Sequence, residues 1–330
     1  MNQVTVFGGS GFIGRHIVAR LASRGIAVRV AVRDAAGANF LRPMGDVGQV
    51  TPVLANISDD RSVTAAVEGS DAVINLVGIL YNSGQQRFDT IHRDGAARVA
   101  RLSHEAGVDR LLHMSALGAS PQSQSQYAWS KAAGEDAVRE SFAGATIIRP
   151  SVVFGPNDNF FNLFAALARL SPVLPVFGCP LPSLRNGSID LYGDGGTKFQ
   201  PVYVGDVADA MIACLDRRNT SGETYELGGP TVYSFKALME LVLKTTDRKC
   251  LLLPIPFWVA SVKAAFLELL PVPPLTRDQI TLLKTDNVVS SDAKTLATLG
   301  ITPTAAEVIV PTYLDRFRRG GRFHGAQTAS

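Results

Sequence analysis

Val4-Thr-Val-Phe-Gly-Gly-Ser-Gly-Phe-Ile-Gly-Arg-His-Ile-Val18 decides how the rest of the chain is read. The β-branched run Val4–Phe7 passes straight into Gly8, Gly11 and Gly14, spaced G-x-x-G-x-x-G, and helical spacing starts at Ile13. In a chain this rich in glycine such spacing arises by chance about one time in four, so the motif alone decides little. Its setting decides more. A strand enters and a helix leaves, so the glycines permit a tight turn and let a pyrophosphate approach the helix N-terminus. Ser10, Phe12, Ile13 and Arg15 complete the candidate phosphate loop.

Outward from this loop, apolar runs at Ala27–Val32, Val50–Ala55, Ala72–Val77, Leu111–Ser115 and Ala145–Ile148 alternate with helical patterns at Ser62–Val67, Asp94–Ala106 and Trp129–Ser141. Gly25 and Gly107 stand where helix C-terminal glycines belong. This alternation predicts an α/β fold, a doubly wound parallel sheet of Rossmann type. Past Pro150 the alternation stops, and Val202–Leu215 then reads as one more strand and helix of the main sheet. The expected organisation is a dinucleotide domain at 1–155 and 197–218, interleaved with a smaller C-terminal domain at 156–196 and 219–330. The tail, with Arg316, Arg318, Arg319, Gly320, Gly321 and Arg322, is expected to fray.

The 330 residues exceed the usual single-domain size, in keeping with two parts. A net charge of +3 gives no reason to expect nucleic acid as a partner. Cys179, Cys214 and Cys250 are widely spaced and form no CxxC, so they are read as reduced thiols, and no metal site is expected. The first strand begins three residues after Met1, which leads to the expectation of a cytoplasmic protein without a leader. The most apolar stretch, Leu251–Leu275, is interrupted by five prolines and by Lys263 and Glu268 and does not read as a membrane span. Within it, Phe257–Leu270 reads as a helix apolar around most of its circumference. Either it is buried in the smaller domain or it docks on a membrane or protein partner.

The second strand ends at Arg33, where an NAD-binding unit usually presents an acid to the adenosine ribose. A guanidinium there pairs with a 2′-phosphate, and Arg15 adds a second positive charge, so NADP(H) is favoured over NAD(H). Asp34 is the competing feature: a small shift of the loop would present its carboxylate instead.

Tyr127 is followed by Lys131 one helical turn later, on the same face, after the fifth strand. A free phenol titrates near pH ~10, and a nearby ammonium and an oxidised nicotinamide would favour phenolate. Ser115 closes the fifth strand twelve residues before Tyr127.

Taken in order, these features resemble the short-chain dehydrogenase/reductase superfamily, in its extended or atypical branch, over about residues 1–235. The resemblance implies a catalytic set of Ser115 polarising a carbonyl, Tyr127 exchanging a proton and Lys131 holding the nicotinamide ribose. It also implies cofactor contacts at Asn56 and Ile57 for adenine, at Val77 and Gly78 beside the adenosine ribose, and at Pro150 in the stretch Ile147–Pro156 lining the nicotinamide. His92 stands where many extended relatives have Asn and is read as a satisfied structural histidine.

Phe88–Gly95, Asp194–Asp206 and above all Leu275–Ser290 resemble the nucleotide-binding accessory subunit of respiratory complex I and its bacterial relatives. That resemblance implies an NADPH held structurally, with complex I subunits and the membrane surface as partners of the C-terminal part and a peripheral place on the cytoplasmic face of the inner membrane. The intact Ser115, Tyr127 and Lys131 set leaves a second reading open, an NAD(P)H-dependent oxidoreductase or epimerase acting on a hydroxyl or carbonyl group. A nucleotide-sensing binder is a third. The substrate pocket would come from the part after Gly155, including Gly178–Gly187 and Leu251–Leu275, where residue type names no substrate.

Overall fold

Hydrophobic alternation produces six consecutive parallel strands with helices between them: β1 (Gln3–Phe7), β2 (Ala27–Val32), β3 (Val50–Leu54), β4 (Ala72–Asn75), β5 (Arg110–Met114) and β6 (Thr146–Pro150). The intervening helices are α1 (Phe12–Ser23), α2 (Asp60–Val67), α3 (Ala96–Glu105) and α4 (Gln126–Ser141). The second half adds short strands β7 (Val153–Phe154), β8 (Val173–Phe177), β9 (Ser183–Arg185), β10 (Ser188–Asp190), β11 (Lys198–Phe199) and β12 (Val202–Tyr203), then β13 (Thr224–Leu227), β14 (Tyr233–Ser234) and β15 (Leu251–Ile255). Its helices are α5 (Phe161–Leu170), α6 (Val204–Asp216), α7 (Phe235–Thr246), α8 (Phe257–Leu267), α9 (Arg277–Leu282) and α10 (Ala306–Leu314). This is a computed structural model that describes residues 1–180, 183–185, 188–271 and 273–319. Gly320, Gly321 and Arg322 of the expected tail lie outside the described residues, as do Val272 and parts of the 178–187 loop.

The main sheet has seven strands in the order β3-β2-β1-β4-β5-β6-β13, all parallel. Strand order reverses between β1 and β4, which end level with each other at Phe7 and Asn75. In an open α/β sheet the crevice at such a switch point is where ligands bind. All four residues of β4 are buried, as expected of a central strand covered on both faces. Burying a side chain such as Ile74 contributes about 2 kcal/mol.

The chain forms two compact units. One comprises 1–150, 204–227 and 290–302, the other 151–203, 228–289 and 303–330. These boundaries differ from the expected ones, for reasons visible in the hydrogen bonding. Val202–Tyr203 pairs with Val153–Phe154 in a separate two-stranded ladder, so it is not a strand of the main sheet. The seventh strand is β13, whose Thr224 to Leu227 run parallel to Ile147 to Pro150. Segment 290–302 joins this unit because Glu226 N–H donates to the Lys294 carbonyl (2.9 Å), Ser290 N–H donates to the Glu226 carboxylate (2.9 Å), and Lys294 pairs with Glu223 (2.6 Å).

The second unit is built around Phe154, Phe161, Phe164, Phe177, Phe199 and Phe235, packed largely edge to face. In it, α8 is three residues shorter than expected, because Glu268 takes the C-cap position and the chain turns before Pro271. The helix buries only its small residues, Ala260 and Ala264, and exposes Trp258 (72%) and Phe266 (70%). Of the two readings of this segment, the buried one is therefore set aside. Among the described residues no helix is long and apolar enough to cross a membrane.

Candidate nucleotide and catalytic site

The phosphate loop is held by backbone hydrogen bonds at the switch point. Gly8 N–H donates to the Ala31 carbonyl (3.1 Å), Leu76 N–H to the Phe7 carbonyl (3.0 Å) and Gly11 N–H to the Gly8 carbonyl (3.0 Å). Gly11 then caps α1 in extended conformation without a side-chain bond, leaving the first amide groups of the helix for a ligand. Gly14 is required by close approach: a Cβ there would stand 2.6 Å from both the Gly8 carbonyl oxygen and the Gly9 Cα, backbone atoms that cannot rotate away. Helix α1 is thus pressed against the turn, the cradle a pyrophosphate needs.

At the end of β2, Arg33 is exposed, and neither it nor Arg15 forms an ion pair with a described residue. Arg15 lies over the exposed Phe40 ring, 5.6 Å from its centre. The Asp34 carboxylate accepts from Gly37 N–H (2.9 Å), which engages it in its own turn. Asn56 is exposed and its side chain accepts from Ser58 N–H (3.0 Å), while Ile57 is buried and packs beside Gly95.

The second half of the site is assembled around His92. A π-helical turn over Asp89–Gly95 leads directly into α3, so α3 begins at Ala96, two residues later than its spacing predicts. Gly134 of α4 permits this packing, because a Cβ there would lie 2.1 Å from the His92 carbonyl oxygen. His92 Nε2 accepts from Ile79 N–H (3.0 Å), so Nδ1 carries the proton and donates to Ser130 Oγ (2.9 Å), which in turn donates to the Tyr127 carbonyl (2.8 Å). The ring is stacked on Phe88 and meets Tyr127 edge to face. Burial, then the charge of Lys131, push its pKa down to about 2, so the imidazole is neutral. The expectation of a satisfied structural histidine matches this geometry, and the relay ties the 77–79 segment to α4.

Ser125 caps α4 by accepting from Ala128 N–H (3.2 Å), and this places Tyr127 in the first turn. Lys131 is buried and its Nζ donates to the Met114 carbonyl (3.2 Å). Its ammonium is 6.0 Å from the centre of the Tyr127 ring, and a Cβ on Gly78 would lie 3.1 Å from Nζ. Ser115 follows Met114 directly. Its N–H donates to the Ile148 carbonyl (2.7 Å) and its Oγ is buried without a partner among the described residues. The next bond along, Leu117 N–H to the Pro150 carbonyl (2.9 Å), fixes Pro150 beside the same strand end. Lys131, Gly78 and the strand end at Ser115 therefore come together, whereas Arg33 and Asn56 stand at the ends of β2 and β3.

Burial shifts both members of the Tyr127 and Lys131 pair. Burial raises the Tyr127 phenol to about 12, and burial lowers Lys131 to about 8, opposed by Glu135. The ammonium is turned toward the Met114 carbonyl, so it does not offset the desolvation of the phenol, and the phenol is neutral near pH 7. Sequence reasoning also passed over His113, Asn75 and Ser130. Asn75 Oδ1 accepts from Val77 N–H (3.1 Å), so Nδ2 donates to His113 Nδ1 (3.3 Å) and His113 Nε2 carries a proton with no partner among the described residues. The signal available was a polar pair, Asn75 and His113, on otherwise apolar central strands in register.

A glycine cradle at the switch point, with a serine, a tyrosine and a lysine at the ends of β5 and α4, defines a dinucleotide-binding Rossmann protein. The chain matches the NAD dependent epimerase/dehydratase family over residues 4–228 and belongs to that family. It is 34% identical to the NADH dehydrogenase [ubiquinone] 1 alpha subcomplex subunit 9, mitochondrial, of Arabidopsis thaliana, over 98% of this chain and 79% of that protein. A ceramide reductase of Caulobacter vibrioides is 37% identical over 52% of this chain and 53% of its own. Among solved structures, the UDP-glucose 4-epimerase of Thermus thermophilus in complex with NAD shares the fold, with a TM-score of 0.66 at 20% identity over 96% of this chain and 98% of that one.

Proposed function

We propose that this chain is an accessory subunit of a complex I-type NADH:ubiquinone oxidoreductase, holding NADP(H) mainly as part of its structure. The observation that carries the reading is the end-to-end match to the subunit 9 sequence, which includes the C-terminal half where a Rossmann motif alone would give no similarity. Gly8, Ser10, Gly11, Phe12, Ile13 and Gly14 would hold the pyrophosphate; Asn56 and Ile57 the adenine; Val77 and Gly78 would border the adenosine ribose; Lys131 and Pro150 would hold the nicotinamide ribose and ring. Arg15 and Arg33, with Asp34 engaged in its own turn, favour a 2′-phosphate and hence NADP(H) over NAD(H). The exposed apolar side of α8 supports contact of the second unit with neighbouring subunits or the membrane surface, at the cytoplasmic face. Native-gel fractionation of mildly solubilised membranes, with mass spectrometry of each band, tests this. Co-migration with assembled complex I is expected, and recovery only outside it would refute the proposal.

A second reading, a reductase acting on a carbonyl, is favoured by one observation: the Ser115 hydroxyl is buried without a partner among the described residues beside Lys131's anchor, as a group awaiting a substrate oxygen would be. When bound, a reduced nicotinamide supplies hydride. Ser115 Oγ would donate to the carbonyl oxygen and Tyr127 Oη would pass its proton to that oxygen. NADPH oxidation that is lost in Tyr127→Phe with nucleotide affinity retained would establish this reading.

A further inference from the structure

The unit of 151–203, 228–289 and 303–330 carries a cluster of basic side chains of its own. Strands β8 and β15 pair in parallel with Leu251 opposite Val173, so the helix-to-strand connections that precede them run side by side. The first follows Arg169 at the end of α5, and the second carries Arg248, Lys249 and Cys250 after α7. The C-terminal segment is tied to the same place: Arg248 Nε donates to the Phe317 carbonyl (2.8 Å) and Arg318 Nε to the Thr245 carbonyl (2.7 Å). These bonds consume Arg248 and Arg318 and bring Arg319 to the group. The Cys250 thiol donates to the Ser171 carbonyl (3.3 Å), fixing the floor.

The result is a hollow of about 220 Å³ lined, among the described residues, by Arg169, Arg248, Lys249 and Arg319 and by no carboxylate. Elsewhere among the described residues eight arginines, among them Arg20, Arg98 and Arg149, are held in ion pairs. Arg169, Lys249 and Arg319 have no ion pair with a described residue, although three separate stretches of chain bring them together. Like charges gathered this way repel unless an anion stands among them, and guanidinium forks match phosphate oxygens in geometry. Leu170 (81%) and Leu251 (65%) stand exposed beside the hollow, which admits a phosphate that carries hydrocarbon.

We infer that this hollow binds a phosphate group, either of a free phosphate compound or of a lipid headgroup. The test uses the full chain with one equivalent of NADPH, so that the nucleotide cradle is filled and no excess of nucleotide phosphate competes for the hollow. Inorganic pyrophosphate is titrated by calorimetry, and vesicles of phosphatidylcholine with and without phosphatidylglycerol are co-sedimented with the protein. The Arg169→Gln, Lys249→Gln, Arg319→Gln triple variant is compared with Arg42→Gln, Arg61→Gln, Arg218→Gln, which removes the same charge from exposed positions elsewhere. The expected result is binding to at least one probe that weakens about tenfold or more in the first triple and stays near the parent value in the second. Pyrophosphate binding identifies a free phosphate compound as the source, and binding confined to phosphatidylglycerol vesicles identifies a lipid. Absence of binding to either probe, or binding that the two triples change equally or not at all, would overturn the inference.

Discussion

Lowering the pH from 7 to 5 destabilises the 1–150, 204–227 and 290–302 unit through two rings. Unfolded, an imidazole titrates near ~6.5 and is almost wholly protonated at pH 5. Folded, His92 is held at about 2 and His113 at about 3, so both stay neutral throughout this window. The unfolded state binds the extra protons, hence stability is retained above the unfolded value and falls as pH drops below it. Proton uptake favours the unfolded chain by about 2 kcal/mol per ring at pH 5 against about 0.2 kcal/mol at pH 7. Because both folded values lie far below 5, the figure depends almost entirely on the unfolded imidazole. Together the rings remove about 4 kcal/mol between the two pH values, a large share of an ordinary domain's stability. Urea denaturation at pH 7 and pH 5 measures the loss. His92→Asn, which lacks a titrating ring in both states, is less stable at pH 7 but loses about 2 kcal/mol less on acidification than the parent. A His92→Asn protein whose loss equals the parent's would show that His92 is not held neutral, and the hydrogen-bond assignment would fall with it.

Three further outcomes follow from the site. Ultraviolet titration of the nucleotide-free protein against Tyr127→Phe should show this phenol ionising above pH ~11, since burial raises it to about 12; a difference spectrum centred below pH ~10 would contradict the burial. Gly134→Ala places a Cβ 2.1 Å from the His92 carbonyl oxygen, and thermal melts should show a loss of about 1–3 kcal/mol despite alanine's better helix propensity. Arg33→Ser should weaken NADPH about tenfold while changing NADH little, measured by nucleotide fluorescence; equal changes for both would remove Arg33 from 2′-phosphate recognition.

Much of the first unit was legible because its signals are local. The Val4–Gly14 turn, the alternation of apolar runs and the Tyr127/Lys131 spacing each depend on residues within a turn or a strand of one another. What escaped depends on distant partners. Thr224–Leu227 mixes Tyr225 and Leu227 with Glu226, and only its pairing with β6 makes it a sheet strand. Segment 290–302 has no pattern of its own and is claimed by one backbone bond to β13, by the Glu226 carboxylate and by the Lys294–Glu223 pair. The roles of Ser130 and Gly134 arise from a π-helical turn lying against α4, a contact between positions 38 and more residues apart. The rise of the Tyr127 phenol escaped likewise, since desolvation is set by the whole surround and not by the lysine one turn away.

The arrangement of the seven-stranded sheet has a consequence during synthesis. Six strands are complete when Pro150 has emerged, yet the edge of β6 has no neighbour until Thr224–Leu227 follows, some 77 residues later by the difference between positions 227 and 150. At ordinary elongation rates that interval is about 4–15 s, long compared with the time a hairpin or helix needs to form. Throughout it the nascent chain presents an unpaired row of backbone donors and acceptors along β6, able to accept a strand from a neighbouring polypeptide. The interleaved chain order thus makes translation speed between residues 150 and 227 a determinant of yield, and a fragment ending at Pro150 should be recovered mainly as aggregate.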